Sequence, residues 1–359
     1  MSRSGTSGSV ASEDVASEFH RIGGSDVPGF DGFADFTRRY QREFNPVYRR
    51  FEAFEYLPIE AFKRAVVATF PAAEAEAIFV SSGTGSGTGS GTGSEHGSAI
   101  GIKPGNEPGR ATRRSRHFVR SLGVYQRSVT THFEGVFGRG PFTIVAHLPS
   151  CVGSGDSSSL VVMLKMLIDE FGTDDSAFVL NALELKKKLI QAADTDPPIL
   201  LFGTAFGLLS FVESVRVALP SSSFVIETGG MKTHRREIGR KELHERLSSG
   251  FGVGLDQITS EYGMCELLSQ CYMRGDGLFY PPPWMSFKIL DPENPRQEIE
   301  EGEPGALAVF DLANIYSVSA ILTEDRAVRK GKGFDLLGRL SNAELRGCNF
   351  MVEDLIGKY

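Results

Sequence analysis

The stretch ILLFGTAF at 199–206 is an apolar run that meets Gly203 and Thr204, and Gly207 and Ser210 interrupt its continuation before Val212. A run this short cannot cross a bilayer. It reads instead as a buried strand followed by a turn. The same pattern recurs at TIVAHLPS (143–150), AFVLN (177–181) and SFVIETGG (223–230), with helical periodicity between them at 159–170 and 183–192. Strands that alternate with helices predict an α/β fold with mostly parallel sheets flanked by helices, and ligands at the loops that follow the strand C-termini. GALAVFDL (305–312) and FDLLGRL (334–340) add β character near the end. At the other end, Phe33, Phe36, Tyr40 and Phe44 recur at steps of three and four, which predicts an amphipathic helical lead-in whose aromatic stripe is core.

The 359 residues allow one large domain or two of ordinary size. Hydrophobic residues at 41% and charged residues at 23% place the chain with soluble globular proteins. The net charge of −7 argues against a general electrostatic grip on nucleic acid. The arginines at 110, 113, 114, 116 and 120 are read as a solvated face or a phosphate-side rim. The opening MSRSGTSGSVASED lacks the apolar core of a signal peptide, so residues 1–26 are expected to be a disordered tail and the protein cytoplasmic. Cys151, Cys265, Cys271 and Cys348 form no CxxC pair and no His/Cys metal spacing, which leaves neither a zinc site nor a disulfide framework.

Two segments can carry chemistry. SSGTGSGTGSGTGSEHGS (81–98) follows the strand-like AIFV and repeats Ser-Gly-Thr-Gly three times between 82 and 93. Such a stretch is either a flexible linker or a loop whose backbone N–H groups and hydroxyls hold phosphate oxygens. It lacks a Walker A pattern, and it matches GxGxxG only because it is glycine-rich. The turn-rich and arginine-rich segment at 101–129 comes next, and a helix is expected to begin near Ser115. The second segment is ITSEYGMCELLSQCY (258–272), where Glu266 precedes an apolar run taken as helical. Glu266 is read either as a single carboxylate for Mg²⁺ beside a phosphate loop or as a carboxylate at a helix start.

Taken in order, FVSSGT (79–84), SRH (115–117), ETGGMK (227–232), SEYGMCELLSQ (260–270), LGR (337–339) and LRGCN (345–349) resemble the LuxE-type acyl-protein synthetases, a short branch of the adenylate-forming ligases. The resemblance runs over roughly residues 30–355 and implies an adenylate-forming large domain at 27–338, with a low-complexity loop at 85–112, and a truncated C-terminal segment at 339–359. It implies ATP and Mg²⁺ as cofactors. By similarity, Ser81, Ser82, Gly83 and Thr84 would cradle the phosphates, and Tyr262 with the Gly229–Gly230 turn would flank the adenine. Gly263 and Cys265 would complete the nucleotide site, Glu266 would hold Mg²⁺, Asp325 would take the ribose hydroxyls and Arg339 would mark the hinge. Cys348 resembles the acyl-accepting cysteine, and Lys232 and His117 are the other catalytic candidates. The family has Thr where Cys265 stands.

The implied reaction activates a carboxylic acid, expected to be a long-chain fatty acid, as acyl-AMP and passes the acyl group to Cys348, for a partner such as an acyl reductase. The rival readings are an acyl- or aryl-CoA ligase that uses a diffusible thiol, and a ligase fold retained as a binding protein.

Overall fold

The computed structural model describes residues 30–82, 114–149, 157–229 and 238–341. The expected tail at 1–26, the low-complexity loop at 85–112 and the segment from 342 onward lie outside the described residues.

The lead-in forms α1 (Phe30–Phe44) and α2 (Pro46–Arg50), joined through Asn45, whose side chain caps α2 by accepting from Val47 N and Tyr48 N. Pro46 suits that start because the first helical N–H needs no intrahelical partner. β1 (Leu57–Pro58) and α3 (Ala61–Arg64) follow, and then an antiparallel pair, β2 (Ala77–Val80) with β3 (Arg116–Val119). The expected helix near Ser115 is therefore corrected to a strand. Aromatic and β-branched residues at 117–119 pair with Ile78 and its neighbours, and the helix waits for the Ser121 cap.

From there the chain alternates as expected: α4 (Leu122–Phe137), β4 (Thr143–His147), α5 (Ser159–Phe171), β5 (Ala177–Val179), α6 (Ala182–Ala193), β6 (Ile199–Thr204), α7 (Ala205–Ser214), β7 (Phe224–Thr228), α8 (Arg240–Phe251) and β8 (Ile258–Tyr262). Four of these helices begin on a polar cap. Ser121, Ser158, Asn181 and Thr204 each accept a backbone N–H three residues ahead, which satisfies one of the donors that a helix start leaves open. β9 (Cys271–Met273), β10 (Phe279–Tyr280), β11 (Met285–Leu290), β12 (Pro304–Asp311), β13 (Ala320–Lys330) and β14 (Gly333–Arg339) complete the described chain.

One twelve-stranded sheet runs β11-β12-β13-β14-β10-β9-β8-β7-β6-β4-β5, with β1 beside β13. β5, β4, β6, β7 and β8 are mutually parallel, and the pairs from β8 to β11 are antiparallel. Because successive strand side chains point to opposite faces, the parallel strands feed two cores. Val145, Leu201 and Val225 pack with Leu185 and Leu189 of α6, Leu208 and Phe211 of α7, and Leu243 of α8. Ile144, Leu200, Phe202 and Ile226 pack with Val129 and Phe133 of α4 and with Met163 and Leu167 of α5. Each such fully buried side chain contributes about 1.5–3 kcal/mol.

The register aligns the strand ends. Val179 is level with His147, His147 with Gly203, Gly203 with Glu227, and Glu227 with Ser260. Thr228–Gly229 and Tyr262–Gly263 thus emerge together at the C-terminal edge of the parallel strands, where ligands of open α/β sheets bind. Among the described residues, no helix is long and apolar enough to cross a membrane.

Candidate active site

Ser81 and Ser115 close the mouth of the β2–β3 pair: Ser81 N donates to Ser115 O at 3.1 Å, and Ser115 N donates to Ser81 Oγ at 3.0 Å. Ser81 is half-buried and Ser82 is exposed. Gly83 and Thr84, the rest of the expected phosphate turn, lie outside the described residues.

Two residues beyond Ser115, His117 is 1% exposed and edge-on to Phe62. Its Nδ1 lies 2.9 Å from Cys265 O, and its Nε2 lies 3.0 Å from Ser317 Oγ. A carbonyl only accepts, so Nδ1 carries the proton, and Nε2 of the neutral ring accepts from the serine hydroxyl. Burial pushes its pKa down to about 4, which keeps the ring neutral. His117 thereby ties the mouth of the β2–β3 pair to the YGMCE segment.

The residues after Gly263 form a turn, with Leu267 N donating to Met264 O at 3.1 Å, and β9 begins at Cys271. No helix follows Glu266, so the reading of Glu266 as a helix-start carboxylate is corrected. The turn is held from outside. Leu268 N donates to Asp311 Oδ2 at 3.1 Å and to Asn314 Oδ1 at 3.0 Å, and Asn314 Nδ2 donates to Glu266 O at 2.8 Å. Asp311 Oδ1 accepts from Ser269 Oγ at 2.7 Å and from Ala313 N at 3.0 Å, and burial pushes the Asp311 pKa up to about 6. Gln41 of α1 clamps the same region, donating to Asn314 O at 2.9 Å and accepting from Ser319 N at 3.0 Å. With its backbone fixed on these partners, the turn presents Glu266 in one place.

Glu266 is 5% exposed, and its Oε2 accepts from Cys265 Sγ at 3.2 Å. Burial, with the Glu266 charge beside it, pushes the Cys265 thiol pKa well up and keeps it a neutral donor. Among the described residues no three His, Cys, Asp or Glu side chains gather into a metal cage. One carboxylate is nonetheless a donor set that suits Mg²⁺, which completes its shell with water and substrate phosphates. Glu266 fits that role.

On the other side of Gly263, Tyr262 lies edge-on to Phe279 and Phe334, and its hydroxyl donates to Asp325 Oδ2 at 2.9 Å. Asp325 faces Arg339 across the β13–β14 pair, with Arg339 Nε 3.7 Å from Asp325 Oδ1 and Nη1 3.3 Å from Glu324 Oε2. Three expected nucleotide-site residues are thus joined through Asp325. Gly229 has φ +81, a backbone that other residues rarely adopt. Gly230, Lys232 and Cys348 lie outside the described residues.

Sequence reasoning gave no role to a cluster of acids on β7 and β8. Glu261 accepts from the Thr228 hydroxyl across the pair, and burial raises its pKa to about 7, with Glu227 adding a smaller push in the same direction. Glu227 accepts from the Ser260 hydroxyl and lies 3.3 Å from His244 Nε2. A Cβ at position 263 would come within 2.4 Å of Glu261 Oε1, so glycine there makes room for the carboxyl. Glu261 stood inside the quoted motif; Asp311 and Asn314 carried no local signal.

This arrangement has solved counterparts. The fold matches ATP-bound MatB from Rhodopseudomonas palustris at 16% identity with a TM-score of 0.50, covering 76% of this chain and 49% of that one. It also matches an open conformation of 2-hydroxyisobutyryl-CoA ligase in complex with 2-HIB-AMP and CoA, at 11% identity with a TM-score of 0.53, covering 85% of this chain and 67% of that one. The fold is that of the adenylate-forming ligases, and the chain spans about half the length of MatB. A family model described as "Acyl-protein synthetase, LuxE" matches residues 171–356, just over half of the sequence. The chain belongs to the LuxE acyl-protein synthetase family. No curated protein matches the sequence.

Proposed function

We propose that this protein is an AMP-forming acid–thiol ligase that activates a carboxylic acid, of the long-chain fatty class, and loads it on Cys348. One observation carries the reading: the 2.9 Å bond from His117 to Cys265 O, which brings the Ser81–Ser115 mouth of the glycine-rich segment against the turn that carries Glu266. A hydroxyl-rich loop start and a segment with one carboxylate are thus tied together, the residue types that a nucleoside triphosphate with Mg²⁺ requires.

In this reading a substrate carboxylate oxygen attacks the α-phosphorus of ATP, the bond to the β-phosphate breaks, and pyrophosphate leaves. The protein's part is to position reactants and balance charge. Mg²⁺, when bound, neutralises phosphate oxygens. Ser81, Ser82, Gly83 and Thr84 hold phosphate, with the Gly229–Gly230 turn and Tyr262–Gly263 beside the adenine. Asp325 takes the ribose, and Arg339 closes that side; Lys232 adds positive charge. His117, neutral and bonded at both nitrogens, acts as a positioning residue and moves no proton. The Cys348 thiolate then attacks the acyl carbonyl, the carbonyl–phosphate oxygen bond breaks, and AMP leaves. An acyl reductase or a similar acceptor protein takes the acyl group onward. The protein works in the cytoplasm.

The test incubates the full chain with ATP, Mg²⁺ and radiolabelled carboxylic acids of graded length. Pyrophosphate exchange and a hydroxylamine-labile protein thioester that is lost in Cys348→Ser are expected. Exchange without protein labelling, accompanied by acyl-CoA when CoA is added, would move the acceptor to a diffusible thiol. No exchange with any acid would end the ligase reading.

A further inference from the structure

Buried polar atoms without partners gather beside Gly263. Gln270 is 4% exposed and Tyr272 is 1% exposed, yet neither Gln270 Oε1 nor the Tyr272 hydroxyl has a hydrogen-bond partner among the described residues. The same holds for Nε2 of His132 on α4, whose ring lies 5.2 Å from the Tyr272 ring. Buried groups left in this state are rare in folded proteins, and each asks for water or a ligand.

These atoms belong to one row. Tyr272 stands directly opposite Glu261 in the antiparallel β8–β9 pair, which puts both side chains on one face with their Cβ atoms about 5 Å apart. A Cβ at position 263 would meet Glu261 Oε1 and also Gln270 Cγ at 3.5 Å, so both side chains flank the same empty space. Glu261 spends Oε2 on the Thr228 hydroxyl, and no donor among the described residues bonds Oε1.

The row mixes donors and acceptors and carries little charge. His132 bonds the Tyr280 backbone through its other nitrogen, and burial keeps its ring neutral, so Nε2 accepts. Gln270 Oε1 accepts as well, the Tyr272 hydroxyl can do either, and Glu261 can do either when protonated. Among the described residues the charged group that acts on Glu261 is another acid, Glu227. A second carboxylate would be repelled here, and an ammonium would be desolvated against largely neutral partners. A hydroxyl, neutral and able both to donate and to accept, suits every member.

Strand alternation also separates the row from the Tyr262 side, where that hydroxyl meets Asp325. Glu261 points to the opposite face, toward Tyr125 of α4. In the ligase reading the nucleotide takes the Tyr262 side, which leaves the row to the acid.

We propose that this row selects the substrate, a carboxylic acid that carries a hydroxyl group on its chain, with the hydroxyl held among Gln270, Glu261 and Tyr272. The identity of the ligand as an acid rests on the ligase reading. A plain alkyl chain in the same place would leave the polar atoms unpaired, and a site built around a substrate hydroxyl rejects the analogue that lacks it.

For the test, octanoate, its monohydroxy forms with the hydroxyl at successive carbons, and its amino form are titrated calorimetrically into the full chain with Mg²⁺ and a non-hydrolysable ATP analogue. The same acids are compared in pyrophosphate exchange. At least one hydroxy form should bind about a hundredfold more tightly than octanoate. Tyr272→Phe and Gln270→Leu should each cut that advantage about tenfold, whereas a folding defect would weaken both acids alike. Failure of every hydroxy form to outbind octanoate, tightest binding of the amino form, or an advantage that both variants leave intact would overturn the proposal. Exchange separates the two readings. A hydroxyl preference in binding without exchange keeps the row and ends the ligase step; exchange that no hydroxyl improves keeps the ligase and ends the row.

Discussion

Two polar clusters flank Gly263, and they are built differently. On one side, Asp311, Asn314, Gln41 and His117 spend their hydrogen bonds mainly on backbone groups: Leu268 N, Glu266 O, Asn314 O and Cys265 O. On the other, Glu261 and Glu227 bond hydroxyls of neighbouring strands, Thr228 and Ser260. The first cluster fixes the path of a turn that has no regular structure of its own. The second stores a carboxyl that titrates near neutrality. The glycine between them leaves the room that the Glu261 carboxyl takes.

The sharpest way to break this contrast is to remove the clamp. Asn314→Ala leaves Glu266 O without its donor inside the core, and we expect a loss of about 3 kcal/mol in stability. Urea unfolding would measure it, and pyrophosphate exchange should fall with it because Glu266 loses its fixed position.

The second cluster should instead show itself through pH. The Glu261 pKa is about 7 in the fold against an ordinary 4.5, so the folded chain keeps a proton that the unfolded chain gives up. Its stabilisation is complete below pH 4.5 and is lost as pH rises through 7. His117 has the opposite sign. At about 4 against 6.5, it refuses a proton that the unfolded chain accepts, and stability falls as pH drops below 6.5. Asp311, raised to about 6, slopes the same way as Glu261, and His132, lowered to about 4, slopes with His117, so Glu261→Gln should remove one of the two falling slopes. Between about pH 5 and about pH 7 its stability should rise with pH by about 2 kcal/mol more than that of the wild type. Urea midpoints at the two ends of that window check the sign, and identical slopes would mean that the carboxyl is ionised throughout.

Smaller effects fall at the join between the clusters. Tyr262→Phe removes one donor to Asp325, for an expected loss of about 1 kcal/mol. It should also raise KM for ATP if Asp325 takes the ribose, which initial-rate kinetics reads directly. Arg339→Ala should change stability least, by about 0.5 kcal/mol, because its side chain is 52% exposed and its ion pairs with Glu324 and Asp325 are screened.

Much of the parallel half was legible in advance. The runs at 143–150, 177–181, 199–206 and 223–230 became β4, β5, β6 and β7; β4, β6 and β7 are buried on both faces, which leaves a continuous apolar signature, whereas β5, expected to be buried, is the edge strand with Phe178 and Leu180 exposed. The stripe of Phe33, Phe36, Tyr40 and Phe44 became α1 through the helical spacing of large side chains, but it is not core throughout: Tyr40 is buried with Ala34, Thr37 and Gln41, Phe33 and Phe44 are half-buried, and Phe36 is exposed. Two local readings failed. Ser115 opened a strand because its partner, Ser81, is thirty-four residues away in sequence. The ELLSQ run formed a turn because Asp311 and Asn314, distant in sequence, satisfy the backbone that a helix would otherwise have satisfied itself.

The sequence by itself determined the alternation of strands and helices, the polar caps that start the helices, and the order of the motifs that mark the family. Those features depend on residues a few positions apart, where periodicity and capping act. Only the tertiary structure decided that His117 joins Cys265, that Asp325 bridges Tyr262 and Arg339, and that Glu261 is held in an environment that raises its pKa. Desolvation and long-range hydrogen bonds arise when distant segments bury one another, and no local pattern records them.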